Sequence, residues 1–158
     1  MTGLTLVAIV QASIIMTTNT NSYSDARKDS DTTGRPMIVL VGAEWCPACV
    51  EMKNNVIPKM KRGGLLRKVA FAVVDLDRQK KLGRELTGGG PIPQIIMYRK
   101  TREGWRRRRL IGGQSVKTLS AFIEEGVRLG KESEKTKPQE KDKPEAKAQP
   151  SPKPHRTT

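Results

Sequence analysis

The chain has 158 residues, 35% hydrophobic and 29% charged, with a formal net charge of +14. That length suits one domain with a modest core, and two cysteines exclude a multi-bridge disulfide framework. Residues 35–130 carry 20 basic and 8 acidic side chains, against 2 and 3 in residues 1–34 and 8 and 5 in residues 131–158, so most of the net charge belongs to the part expected to fold. A basic surface of this kind suits acidic proteins or an anionic surface, or simply keeps the chain soluble.

Residues 4–16 (LTLVAIVQASIIM) form an apolar run broken by Gln11 and Ser13. A bilayer span needs about 20 apolar residues, so this run is too short for one, and its length matches the apolar core of a signal peptide. No Lys or Arg precedes it. Two readings stay open for residues 1–21: a signal peptide or apolar leader of an exported protein, periplasmic or otherwise extracytoplasmic, or an N-terminal strand of a cytoplasmic one.

Residues 22–34 read as a short helix, with Ser22 or Ser24 as cap, Asp25 in the first turn and Gly34 at the left-handed closing position. Pro36 ends it. Residues 37–41 (MIVLV) are apolar without alternation, as in a strand covered on both faces. A turn at Gly42, Ala43 and Glu44 leads to a helix over residues 47–60. Pro47 fits its first turn, and Pro58 is expected to kink or end it. Residues 69–74 (VAFAVV) read as a second buried strand of parallel type. Asp77 is placed to cap a helix over 78–87, closed by Gly88. After Gly88, Gly89, Gly90, Pro91, Ile92 and Pro93 come a third strand over 94–98, a turn, and a fourth strand over 105–111. Gly112 and Gly113 break the chain. Ser115 caps a last helix in which Val116, Leu119, Phe122, Ile123 and Val127 recur at helical spacing, and Gly130 is read as its end.

From Lys131 onward Lys, Pro, Glu, Gln, Ser and Ala dominate, and no bulky apolar residue appears. Such a segment cannot offset the entropy of ordering. We therefore divide the chain into a leader (1–21), a folded domain (22–130) and a disordered tail (131–158). Alternating strands and helices give parallel pairs through right-handed crossovers, and the final hairpin is antiparallel. The expected class is α/β, a central mixed sheet of about four strands with helices on both faces.

The two cysteines, Cys46 and Cys49, stand two residues apart between the first strand and the helix that follows. Such a pair suits reversible dithiol–disulfide exchange. The free amides and dipole of a helix start favour the thiolate of Cys46, which makes it the attacking nucleophile. Cys49, one turn in, is then the resolving thiol. A zinc site needs about four ligands, and the only histidine, His155, lies in the tail. A static disulfide closing so short a loop adds little stability. No cofactor is implied beyond the chain's own redox-active Cys46–Cys49 disulfide, and no metal.

Trp45, Cys46, Pro47, Ala48 and Cys49, the stretch Val73, Val74 and Asp75, the Ile92–Pro93 pair and the Gly112–Gly113 break together resemble the thioredoxin superfamily over residues 22–130. The resemblance implies a thioredoxin-like fold and a thiol–disulfide oxidoreductase acting on protein disulfides with a thiol electron donor. It implies that Pro93 is cis beside the cysteines, that the main chain of Ile92 pairs with substrate, and that Trp45 shields the site. Thioredoxins carry a buried Asp six residues before the first cysteine and a Lys partner. Here those positions are Leu40 and Phe71, so neither group can move the proton of Cys49. Pro47 and Ala48 also lack the His of strongly oxidising relatives, which favours a reductase or isomerase over a strong oxidant.

Arg106, Arg107, Arg108 and Arg109 lie in the fourth strand, where alternation points two to each face. With Arg99, Lys100 and Arg102 they make a basic ridge. It suits either a protected edge strand or a dock for acidic partners or an anionic surface, the latter being the basis of an alternative, non-catalytic interaction module. Nucleic acid is disfavoured, since no recognised binding module accompanies the charge.

Overall fold

The computed structural model describes residues 22–135. The first 21 residues, and with them the question of a leader, lie outside the described part, as do residues 136–158 of the tail. Among the described residues no helix is long and apolar enough to cross a membrane.

The elements follow the order helix, strand, helix, strand, helix, strand, strand, helix. Helix α1 (Tyr23–Thr33) starts on Ser22, whose hydroxyl accepts from the Asp25 amide, and closes at Gly34. Strand β1 is Met37–Gly42, β2 is Ala70–Asp75, β3 is Gln94–Thr101 and β4 is Gly104–Ile111. The sheet order is β2-β1-β3-β4. β1 and β2 run parallel, while β1–β3 and β3–β4 are antiparallel.

Because side chains alternate across a strand, β1 feeds two cores. Ile38 and Leu40 join Met52, Met60, Ile95, Met97, Leu119, Phe122 and Ile123 on one face. Met37, Val39 and Val41 join Ala26, Ala72, Val74, Leu86 and Ile96 on the other. Every β1 residue is buried, which is why its sequence shows no polar alternation. The expected mixed four-stranded sheet with helices on both faces is the fold observed.

Four local expectations need correction. β2 is an edge strand, with Phe71 and Val73 only half-buried; its continuous apolar sequence concealed this. Second, Pro58 does not end its helix. The coil runs through α2 (Pro47–Glu51), a π-helical turn (Met52–Val56) and α3 (Ile57–Arg62). A π turn widens the coil just ahead of the proline, where an α-helical ring would clash with the preceding carbonyl. Third, α4 is Lys80–Thr87 and Asp77 does not cap it. The Asp75 carboxylate instead accepts from the amides of Asp77 and Arg78, which holds these residues in a turn. Fourth, α5 (Val116–Lys135) passes Gly130 and continues five residues into the expected tail. Local bonds support that extension: Arg128 pairs with Glu132, and the Ser133 hydroxyl donates to the Leu129 carbonyl.

Candidate active site

The site forms where β1 hands over to α2. Leu76 N donates to the Gly42 carbonyl, so the ends of β1 and β2 are tied together at this edge of the sheet. Cys46 is the N-cap of α2, with extended backbone, and its sulfur accepts from the Cys49 amide at 3.2 Å. Pro47 occupies the first turn, as its missing N–H allows. Val50 N and Cys49 N both donate to the Cys46 carbonyl. Cys46 and Cys49 are joined as a disulfide, with Cα atoms 5.2 Å apart. Both are nearly closed to solvent, Cys46 at 7% exposure and Cys49 at 5%, so the two hardly differ in exposure in this oxidised state.

The two cysteines border different openings. Cys46 lies in a groove of about 430 Å³ with Trp45, Pro47, Leu76, Pro91 and Ile92. The Ile92–Pro93 peptide bond is cis, and the Ile92 carbonyl oxygen lies 3.9 Å from the Cys46 sulfur. Pro93 gives its carbonyl to Gly112 N, which brings the Gly112–Gly113 turn to the site. A Cβ on Gly113 would lie 3.6 Å from the Ala48 methyl. Trp45 is 68% exposed and flanks the groove instead of filling the core. Cys49 borders a second cavity, of about 290 Å³, with Leu40, Glu44, Lys53, Val73 and Asp75 among its walls. Leu40 is 2% exposed there and offers no proton acceptor.

Three contributors escaped sequence reasoning. Gly42 faces Cys49 so closely that a Cβ would sit 2.9 Å from the Cys49 Cβ and 3.0 Å from its sulfur. Asp77 accepts from the Trp45 indole N–H at 3.3 Å, which fixes one edge of the groove. Gln94, read only as the first residue of a strand, is buried behind the Ile92 loop and donates to the carbonyls of Thr87 and Pro91. The glycine had a signal, since it stands where a strand approaches the motif. The other two depend on contacts between segments that no periodicity records.

The arginine row behaves as alternation requires. Arg107 turns to one face, over the Tyr98 ring, and donates to the Leu86 carbonyl in the last turn of α4. Arg108 turns to the other, over Phe122, and pairs with Glu125 at 2.7 Å. Arg106 pairs with Glu103. Burial raises the Tyr98 phenol pKa, with the Arg107 charge opposing it. The hydrogen bond from Arg108 lowers the Glu125 carboxyl pKa. Three of the four arginines are thus engaged within the domain. Among the described residues no group of three or more His, Cys, Asp or Glu side chains is placed to hold a metal.

A family model described as thioredoxin-like matches residues 18–100. The chain belongs to the thioredoxin-like family. Solved thioredoxins share its fold. The Thermus thermophilus protein matches with a TM-score of 0.55 at 22% identity, over 65% of this chain and 82% of that one. The Fasciola hepatica thioredoxin gives 0.51 at 21%, over 65% and 92%, and that of Trichomonas vaginalis 0.52 at 20%, over 66% and 92%. At such identity the likeness concerns the fold. No curated protein matches the chain. The family match ends at the close of β3, so the arginine strand and α5 lie beyond it.

Proposed function

We propose that this protein is a thiol–disulfide oxidoreductase acting on protein disulfides, working as a reductase or isomerase rather than as a strong oxidant. The observation that carries the reading is the Cys46 sulfur: it sits at a helix N-cap, accepts a backbone N–H, and opens on a groove edged by the Ile92 carbonyl. In the reduced protein the same amide and helix dipole favour the Cys46 thiolate. That thiolate attacks one sulfur of the substrate disulfide, and the other leaves as a thiolate that takes a proton. The Cys49 thiolate then attacks the Cys46 sulfur and releases the second substrate thiol. The Cys46–Cys49 disulfide that remains has lost two electrons to the substrate, and an external thiol donor restores the dithiol. No carboxylate replaces Leu40, so the Cys49 proton goes to water or to another group bordering its cavity, whose walls include the carboxylates of Glu44 and Asp75. The absence of a histidine between the cysteines supports the preference against a strong oxidant. The apolar run of residues 4–16 supports export, which cell fractionation would decide.

With dithiothreitol as donor, the wild type should reduce insulin. Cys49→Ser should accumulate mixed disulfides recoverable on a non-reducing gel, and Cys46→Ser should accumulate none. Failure of the wild type to reduce insulin, together with no trapped species from Cys49→Ser, would sink this reading. The alternative of a non-catalytic module docking acidic partners through residues 106–109 has less support, because Arg106, Arg107 and Arg108 already have partners within the domain.

A further inference from the structure

Gln94 is the first residue of β3, and its backbone is paired on both sides, with Val41 of β1 and Ile111 of β4. Its side chain is 0% exposed and reaches back under the loop that carries Ile92. There Nε2 donates to the Pro91 carbonyl at 3.0 Å and to the Thr87 carbonyl at 3.3 Å, spanning both ends of the glycine-rich turn. Only the N–H₂ end of the amide can donate to two carbonyls, so its orientation is fixed. Oε1 is consequently buried without a partner. An unpaired buried acceptor is costly, and such groups call for a reason. Gly90 completes the arrangement: a Cβ there would stand 3.1 Å from Nε2, so a side chain would crowd the amide. Three consecutive glycines give residues 88–90 little stiffness of their own.

We propose that Gln94 is a positioning residue that holds the Pro91–Ile92 backbone against the sheet, so that the site favours extended peptide disulfides over small ones. This rests on the oxidoreductase reading above. A peptide substrate that pairs with the Ile92 main chain needs that backbone held in place, because strand-like docking depends on the register of its carbonyl and amide. A small aromatic disulfide needs only access to Cys46. The clamp therefore acts chiefly on peptide binding, while the attack of Cys46 on a small disulfide draws on the Cys49 amide, which Gln94 does not touch.

The test compares wild type, Gln94→Met and Gln94→Glu on insulin and on 5,5′-dithiobis(2-nitrobenzoic acid), with amide hydrogen exchange over residues 88–92. Gln94→Met keeps the bulk and removes both donors. It should raise KM for insulin about tenfold, the worth of one or two net hydrogen bonds, leave kcat and the small-disulfide rate within about twofold, and speed loop exchange. Gln94→Glu donates only when protonated, so its insulin KM relative to wild type should rise as pH increases from about 5 to 8. Equal losses on both substrates, or unchanged loop exchange in Gln94→Met, would overturn the proposal. A wild type active on the small disulfide but not on insulin would overturn it and leave the oxidoreductase reading standing. A wild type inactive on both sinks that reading and this selectivity with it, and loop exchange then reports the clamp alone.

Discussion

Gly42 sets how closely Cys49 can approach the sheet. With a Cβ clash at 2.9 Å, the Gly42→Ala change has to push α2 away from β1. Overpacking of this kind costs about 1–3 kcal/mol, and urea denaturation should show it, alongside slower closure of the Cys46–Cys49 disulfide. An unchanged midpoint and closure rate would mean that the helix start yields freely. Leu40 makes the converse point. A carboxylate placed there by Leu40→Asp would border the same cavity as Cys49 and give its proton a nearby acceptor. The variant should resolve mixed disulfides faster while losing stability through desolvation of the buried acid. Stopped-flow release of a thiol chromophore from the Cys46 adduct measures the rate. The motif and the Ile92–Pro93 pair were legible because each is contiguous. The Asp77 contact with Trp45 was not, because it joins segments 32 residues apart, and the nearer bonds of Gln94 to Pro91 and Thr87 were not, because they follow from the path of the loop and leave no periodicity.

At the level of elements, the order of strands and helices could be read from the sequence, and the errors lay where one element meets another. β2 reads as a central strand because its residues are apolar, yet only β1 flanks it. Pro58 reads as a break, and the π turn absorbs it. α5 overruns Gly130 because local side-chain bonds carry it on. The β4 arginines were correctly split between faces, but their partners were hidden. Arg108 and Glu125 tie β4 to α5. The folded-state pKa of Glu125 lies below its unfolded value, so this pair stabilises the fold above about pH 4.3 and loses its effect as pH falls through the folded value. The Tm difference between wild type and Glu125→Gln should therefore be largest near neutral pH, shrink as the solution is acidified, and shrink with added salt. A difference independent of pH would show that the pair contributes packing alone.

For the whole molecule, the decisive property is that one sheet serves two cores. Ile123 belongs to one and Ile96 to the other, and both are fully buried. Truncating either to Ala should cost about 2–5 kcal/mol, and each variant should still unfold in one transition, because β1 and β3 are shared. Far-UV and near-UV dichroism should report the same midpoint in both. Two separated transitions in either variant would mean that the layers are independent. The net positive charge is also better understood at this scale. Two of the four arginines in the row fasten β4 to α4 and α5, so their side chains are held against the domain.

The separate openings beside Cys46 and Cys49 amount to a two-door arrangement. On the oxidoreductase reading proposed above, substrate reaches Cys46 from the Trp45 side. On the same reading, the proton shed by Cys49 leaves through the cavity that Glu44 and Lys53 border. The two openings share no lining residue, so on that reading the traffic of protons need not wait for the traffic of protein.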